Sequence, residues 1–190
     1  MSVKWNAFFP RVMPEVKGCP APIAVQAIRD AAREWCERTW VWQEVVPYET
    51  EEDLREVFIS VPRGSRLVSV LYLIEEGQKK SPDGYTIRAN RNPVSTEDEQ
   101  TETSEMEARV VLKPSETATD CSDFLYNGYA EEIGWGAKAR LLYNPSKPWG
   151  NMDMAGLNFQ MFRKAIAQEK IKLSKGYTNK SLKVKARRFV

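Results

Sequence analysis

Apolar side chains change their spacing twice along this chain, and no other feature constrains its fold as tightly. Ile23, Ala27, Ile28, Ala31 and Trp35 recur every three or four residues, with Arg29, Arg33, Glu34 and Glu37 between them. That spacing predicts an amphipathic helix starting just after Pro20 and Pro22 and running to about Thr39. From Trp40 the period shortens. Trp40-Val41-Trp42, Val57 to Val61, Leu67 to Ile74, Tyr85 to Ile87 and Ala108 to Leu112 are short β-branched or aromatic runs. Pro62-Arg63-Gly64, Glu75-Glu76-Gly77, Pro82-Asp83-Gly84 and Pro114 punctuate them. They read as a meander of antiparallel strands in a small sheet or sandwich. Leu67 to Ile74 is apolar on both faces and is expected to be the most buried strand. Residues 90–107 carry acids and hydroxyls with little to bury, so an exposed, mobile loop is expected there.

Helical spacing returns after Cys121. Ser122 or Asp123 can cap a second helix through Phe124, Leu125, Tyr129, Ile133, Ala137, Arg140 and Leu141, ending at Asn144-Pro145. Gly128, Gly134 and Gly136 each weaken it by roughly 1 kcal/mol relative to Ala and suggest close packing against another backbone. Ser146 to Gly150 form a rigid connector. A third helix is expected from about Asn151–Asp153 to Ser174, ended by Gly176, with Ala155, Phe159, Phe162, Ile166 and Leu173 as its apolar face. The economical architecture is α+β. It has a helical core of three main helices, an inserted antiparallel β-subdomain and an extended basic C-terminal arm. In this reading 1–43 hold the N-terminal segment and first helix, and 44–115 the insertion. The second and third helices occupy 116–175, and 176–190 form the arm.

The 190 residues contain no histidine, which excludes Ser-His-Asp triads, Cys-His dyads, His-ligated zinc and a histidine general base. Cys19, Cys36 and Cys121 lie far apart without CxxC spacing, so a reducing compartment is expected and Cys36 reads as a small buried hydrophobe. The N-terminal Met1 to Pro10 lacks the apolar core of a signal peptide, and Leu67 to Ile74 is too short to span a bilayer. Gly134-Trp135-Gly136-Ala137-Lys138 lacks phosphate-loop spacing and falls inside a helix. Adjacent acids such as Glu51-Glu52-Asp53 and Glu131-Glu132 read as solvated faces, and nothing singles out a convergent catalytic pair. No catalytic, cofactor or metal site is assigned, and no enzyme activity is expected. The six Trp, seven Tyr and seven Phe read mainly as core, with subunit-interface anchors as the alternative.

Charge is unevenly distributed. Lys164 to Val190 carry nine Lys or Arg against Glu169, or +8, while the other 163 residues hold nineteen bases and twenty-five acids, or −6. A basic segment of this kind serves either as an arm on an acidic partner or nucleic acid, or as a solvated end. The closing Phe189-Val190 favours docking, because a solvated tail has no use for an apolar tip.

Phe8-Phe9-Pro10-Arg11-Val12, Pro14-Glu15-Val16, Gly18-Cys19-Pro20 and Ala27 to Thr39 together resemble the N-terminal region of head-to-tail connector (adaptor) proteins of tailed bacteriophages. Asn144-Pro145-Ser146-Lys147-Pro148-Trp149, the Phe-containing helix after it and Ser181 to Phe189 resemble their endings. The likeness covers roughly the first forty and last seventy residues, while the β-rich middle is similar only in layout. It implies a structural virion protein, assembled in the host cytoplasm, that forms a ring of copies, usually twelve, beneath the portal. Such a ring extends the DNA channel and joins it to a tail or nozzle protein. Double-stranded DNA would pass without sequence-specific contact, and no membrane is implied. On the same resemblance, Lys183, Lys185, Arg187 and Arg188 would contact the portal or a neighbouring subunit, with Phe189 and Val190 as the apolar tip. The alternatives are another tail structural component, such as a tail-completion or tail-tube-associated protein, or a DNA-packaging accessory protein using the basic tail on phosphates.

Overall fold

A computed structural model describes residues 2–51, 55–90 and 106–175, and shows a mixed α+β protein. The loop expected over 90–107 lies outside the described residues except at its ends, as do Gly176 and the arm over 176–190. The chain opens with β1 (Ser2–Lys4), a 3-10 turn (Trp5–Phe8) and α1 (Phe9–Val12). The first long helix, α2 (Ala21–Thr39), follows Pro20 and has Pro22 in its first turn, where a missing N–H leaves no hydrogen bond unmade. Seven strands come next: β2 (Gln43–Glu51), β3 (Glu56–Ser60), β4 (Ser65–Glu75), β5 (Gln78–Lys80), β6 (Thr86–Asn90), β7 (Glu107–Pro114) and β8 (Asp120–Ser122). The chain then forms α3 (Asp123–Leu142) and α4 (Met152–Ser174).

The helices share one apolar cluster that includes Phe8, Val12, Ile28, Trp35, Leu125, Ile133, Leu142 and Phe162. Its tightest point is Gly136 in α3. A Cβ there would sit 2.9 Å from the Phe162 ring and 3.0 Å from Ala31 Cβ, so glycine lets α2 and α4 close on α3. Trp35 fills the adjacent space, its ring 5.3 Å from Tyr129 and 5.9 Å from Phe162. The close approach expected of all three glycines in α3 holds at Gly136. Gly134 meets Arg11 Cβ only at 3.6 Å, and Gly128 faces open space. Ser122 precedes α3 without a side-chain cap bond, and the helix kinks at Tyr129 (φ −141°, ψ 19°). Asn151 does cap α4, accepting from Met154 N at 3.1 Å.

The strands depart from the expected meander. Six of them form one sheet in the order β5-β4-β7-β2-β3-β6, and β3 pairs with β6 in parallel. The last long strand, β7, inserts between β4 and β2, so neighbours in the sheet are not neighbours in sequence. Trp40 to Trp42 is not a strand. Trp40 ends α2 in the left-handed region (φ 59°), and strand geometry begins at Gln43. The most buried strand is β7, with Ala108, Val110, Val111 and Leu112 fully enclosed, and not the run from Leu67 to Ile74. The cause is position. Among the described residues β5 covers only Leu73–Glu75 of β4, leaving the outer edge of Ser65–Tyr72 without a strand partner. The sheet curls around its own cluster of Val46, Tyr48, Val57, Ile59, Leu73, Ala108, Val110 and Leu112. Trp42 packs on both this cluster and the helical one, and Lys113 of β7 donates to Glu37 of α2 at 2.8 Å. Ser2–Lys4 pairs antiparallel with Asp120–Ser122, and Trp5 Nε1 donates to Ala118 O at 2.9 Å, so the N-terminal segment is tied to the start of α3.

Two glycine substitutions of opposite sign test this packing. Gly136→Ala forces a methyl group into Phe162 and Ala31 and is expected to destabilise by about 1–3 kcal/mol, despite the gain in helix propensity. Gly156→Ala, in an open stretch of α4, is expected to stabilise by about 0.5–1 kcal/mol. Urea unfolding of both variants checks the pair.

Candidate interaction surface

The six residues assigned to contacts by sequence, Lys183, Lys185, Arg187, Arg188, Phe189 and Val190, all lie outside the described residues. The described chain leads to them at Lys175, just after α4. Beside that point is an open depression of about 510 Å³, lined by Glu37, Arg38, Thr39, Trp40, Gln43, Lys170 and Leu173. Its conspicuous member is Trp40, which combines a left-handed backbone with 44% exposure of a large apolar residue. Both features cost free energy in an isolated chain.

Helix α4 is held in place partly by buried polar contacts. Lys138 of α3, only 5% exposed, donates to Glu15 Oε1 at 2.7 Å. Asn158 of α4 donates to Glu15 Oε2 at 3.5 Å and to Met154 O at 2.9 Å. The Gly134–Lys138 stretch, which lacks phosphate-loop spacing, lies inside α3, and the Lys138 ammonium is committed to the Glu15 carboxylate. Further along α4, buried Glu169 accepts from Tyr129 Oη at 3.0 Å and from Lys172 Nζ at 3.1 Å. Arg140 reaches Glu34 of α2, which also pairs with Arg38, and its guanidinium lies 5.9 Å from the Phe162 ring centroid. These bonds orient α4 and leave its other faces outward.

Those outward faces are unusually apolar. Met152, Met154, Leu157, Phe159 and Met161 are between 37% and 53% exposed. Phe159 was expected on the core face with Ala155, Phe162 and Ile166. The structure instead turns the face Ala155-Asn158-Phe162-Ala165-Ile166-Glu169 inward, because the Asn158 and Glu169 bonds are satisfied there. Sequence reasoning placed Phe159 on the apolar face and left Met152, Met154, Leu157 and Met161 unassigned, so it missed this exposed set. Its signal was present: the apolar positions of the first half of α4 occupy more of the helix circumference than one packed face can cover.

The cysteines offer no reactive thiol. Cys19, Cys36 and Cys121 are all buried and unpaired with one another. Burial pushes the Cys36 thiol well above its ordinary range and the Cys121 thiol up to about 12, so neither ionises near neutrality. Burial also raises the Cys19 thiol. Among the described residues, no group of acids and cysteines is arranged to hold a metal ion. No helix among them is long and apolar enough to cross a membrane.

Two measurements check this description. Glu15→Ala strands the buried Lys138 ammonium and should cost about 3 kcal/mol, whereas Lys138→Met leaves a carboxylate whose side chain is 39% exposed and should cost under about 1.5 kcal/mol. Equal costs would contradict the placement of the pair. A disulfide thiol reagent at pH 8 should titrate three thiols per chain in denaturant and react at most slowly with the native protein.

No protein-family model matches the chain, and no curated protein matches it.

Proposed function

We propose that the chain is a structural virion protein whose copies form a ring joining the capsid portal to the tail and extending the DNA channel. In this reading α2, α3 and α4 are a three-helix core, the six-stranded sheet is a subdomain inserted between α2 and α3, and 176–190 are the basic arm. One observation carries the reading. The two stretches that resemble head-to-tail connectors lie far apart in sequence yet build a single unit. Phe8, Val12 and Trp35 from the first stretch and Phe162 from the helix after Asn144–Trp149 share one apolar cluster. A likeness spread over two unrelated surface segments would carry far less weight.

Charge supports the same reading. Outside Lys164 to Val190 the chain carries −6, which suits a surface past which DNA slides without sticking, and the +8 segment suits docking on a partner. Lys183, Lys185, Arg187 and Arg188 would make its charged contacts, and Phe189 with Val190 would anchor it.

The test is co-sedimentation with the portal protein of the same genome, using the full chain and a chain lacking residues 177–190. The full chain is expected to sediment with the portal and the truncated chain to lose binding by at least about tenfold. Undiminished binding of the truncated chain would overturn the role of the arm. A full chain that ignores the portal but shifts double-stranded DNA at low salt would favour a packaging accessory instead.

A further inference from the structure

Trp40 is held differently from the tryptophans of the core. Trp5, Trp35 and Trp42 each have a ring neighbour, in Phe8, Tyr129 and Phe124 respectively. Trp40 has none among the described residues and is 44% exposed. It ends α2 in the left-handed region (φ 59°, ψ 29°), where a bulky residue is disfavoured and glycine is the usual occupant. Gln43 Nε2 donates to Trp40 O at 3.0 Å and pins the turn between α2 and β2. Backbone strain and an unstacked indole therefore coincide at the wall of the open depression of about 510 Å³. The charge around that indole is positive. Lys170 is exposed and has no acidic partner among the described residues. Glu37, the one acid in the lining, is matched by Lys113 at 2.8 Å. Glu34 is shared by Arg38, at 2.8 Å, and Arg140, so two guanidiniums divide one carboxylate.

We propose that this depression binds a nucleotide, free or within a single strand, the base stacking on Trp40 and the phosphate held by Arg38 and Lys170. Every base offers a flat π-face to an indole, and cations beside the ring neutralise the phosphate that comes with it. The lining argues against other occupants. Only Trp40 and Leu173 are apolar in it, which is too little floor for an apolar peptide. Arg38 and Lys170 disfavour the chain's own basic Lys183, Lys185, Arg187 and Arg188. Duplex DNA brings phosphates but keeps its bases stacked inside, out of reach of the indole. Trp40 thus selects for an unpaired base, while the cations supply affinity that falls as salt rises. The site is independent of the ring reading, which neither needs nor supplies it.

The experiment follows fluorescence anisotropy of a short labelled oligothymidylate and, separately, of a labelled duplex of mixed sequence, with the full chain and four variants. Trp40→Gly removes the indole at a backbone position that glycine favours, and Trp40→Leu keeps apolar bulk without the π-face. Lys170→Gln removes a free cation from the lining, and Lys79→Gln removes one from the β4–β5 hairpin at the far end of the sheet. Circular dichroism confirms that the variants fold. The wild type should bind the single strand, and either Trp40 variant should weaken that binding by about tenfold while leaving duplex binding unchanged. Lys170→Gln should weaken it by about threefold and flatten its salt dependence, whereas Lys79→Gln should match the wild type. Displacement of the strand by thymidine 5′-monophosphate assigns the site to a free nucleotide, and strand binding that the monophosphate leaves intact assigns it to a strand. A wild type that binds no single strand, Trp40 variants as tight as the wild type, equal losses on strand and duplex, or equal losses from Lys79→Gln and Lys170→Gln would each overturn the assignment.

Discussion

The contact among Gly136, Phe162 and Ala31 fixes the distance between three helices at once, and much of the molecule follows from it. With no side chain at Gly136, the Phe162 ring reaches the α3 backbone and Ala31 of α2 closes from the other side. Trp35 then finds a slot between Tyr129 and Phe162, and the N-terminal Phe8 and Val12 complete the same cluster. Small residues at the contact bring the helices near; large rings beside it supply the buried area that holds them there. The depth to which Phe162 sinks also decides which residues of α4 remain outside.

Polar burial sets the rotation of α4 about its own axis. An apolar count alone would let the helix turn so that Phe159 faced the core. Asn158 and Glu169 prevent this, because their partners Glu15 and Tyr129 lie on the inward side. Rotating Phe159 inward would break those bonds and leave buried polar groups unsatisfied, at a cost of about 1–3 kcal/mol each. The consequence is that Met152, Met154, Leu157, Phe159 and Met161 remain exposed on the outer side of α4.

The three long helices were legible because their spacing is strong and their ends carry recognisable residues: Pro20 and Pro22, Asn151, and Asn144-Pro145. The mixed α+β character followed directly. Strand order was not legible, since β7 pairs with β4 and β2 across long sequence separations that no local pattern encodes. β2 was hidden by Pro47 and its glutamates, with only Val46 and Tyr48 fully turned inward. The burial of β4 was overstated because an apolar run says nothing about how much of its edge a neighbour covers. At the surface, the basic C-terminal residues were visible as charge and apolar tip, whereas the α4 flanks required knowing which side of the helix the buried polar bonds claim.

The central proposal is that this chain works as one of many copies beneath a portal. Electron cryo-microscopy of the chain assembled with the portal protein tests it most directly. The account predicts a closed ring of copies stacked on the portal. A single copy bound at the portal rim, or a portal with no density for this chain, would contradict it.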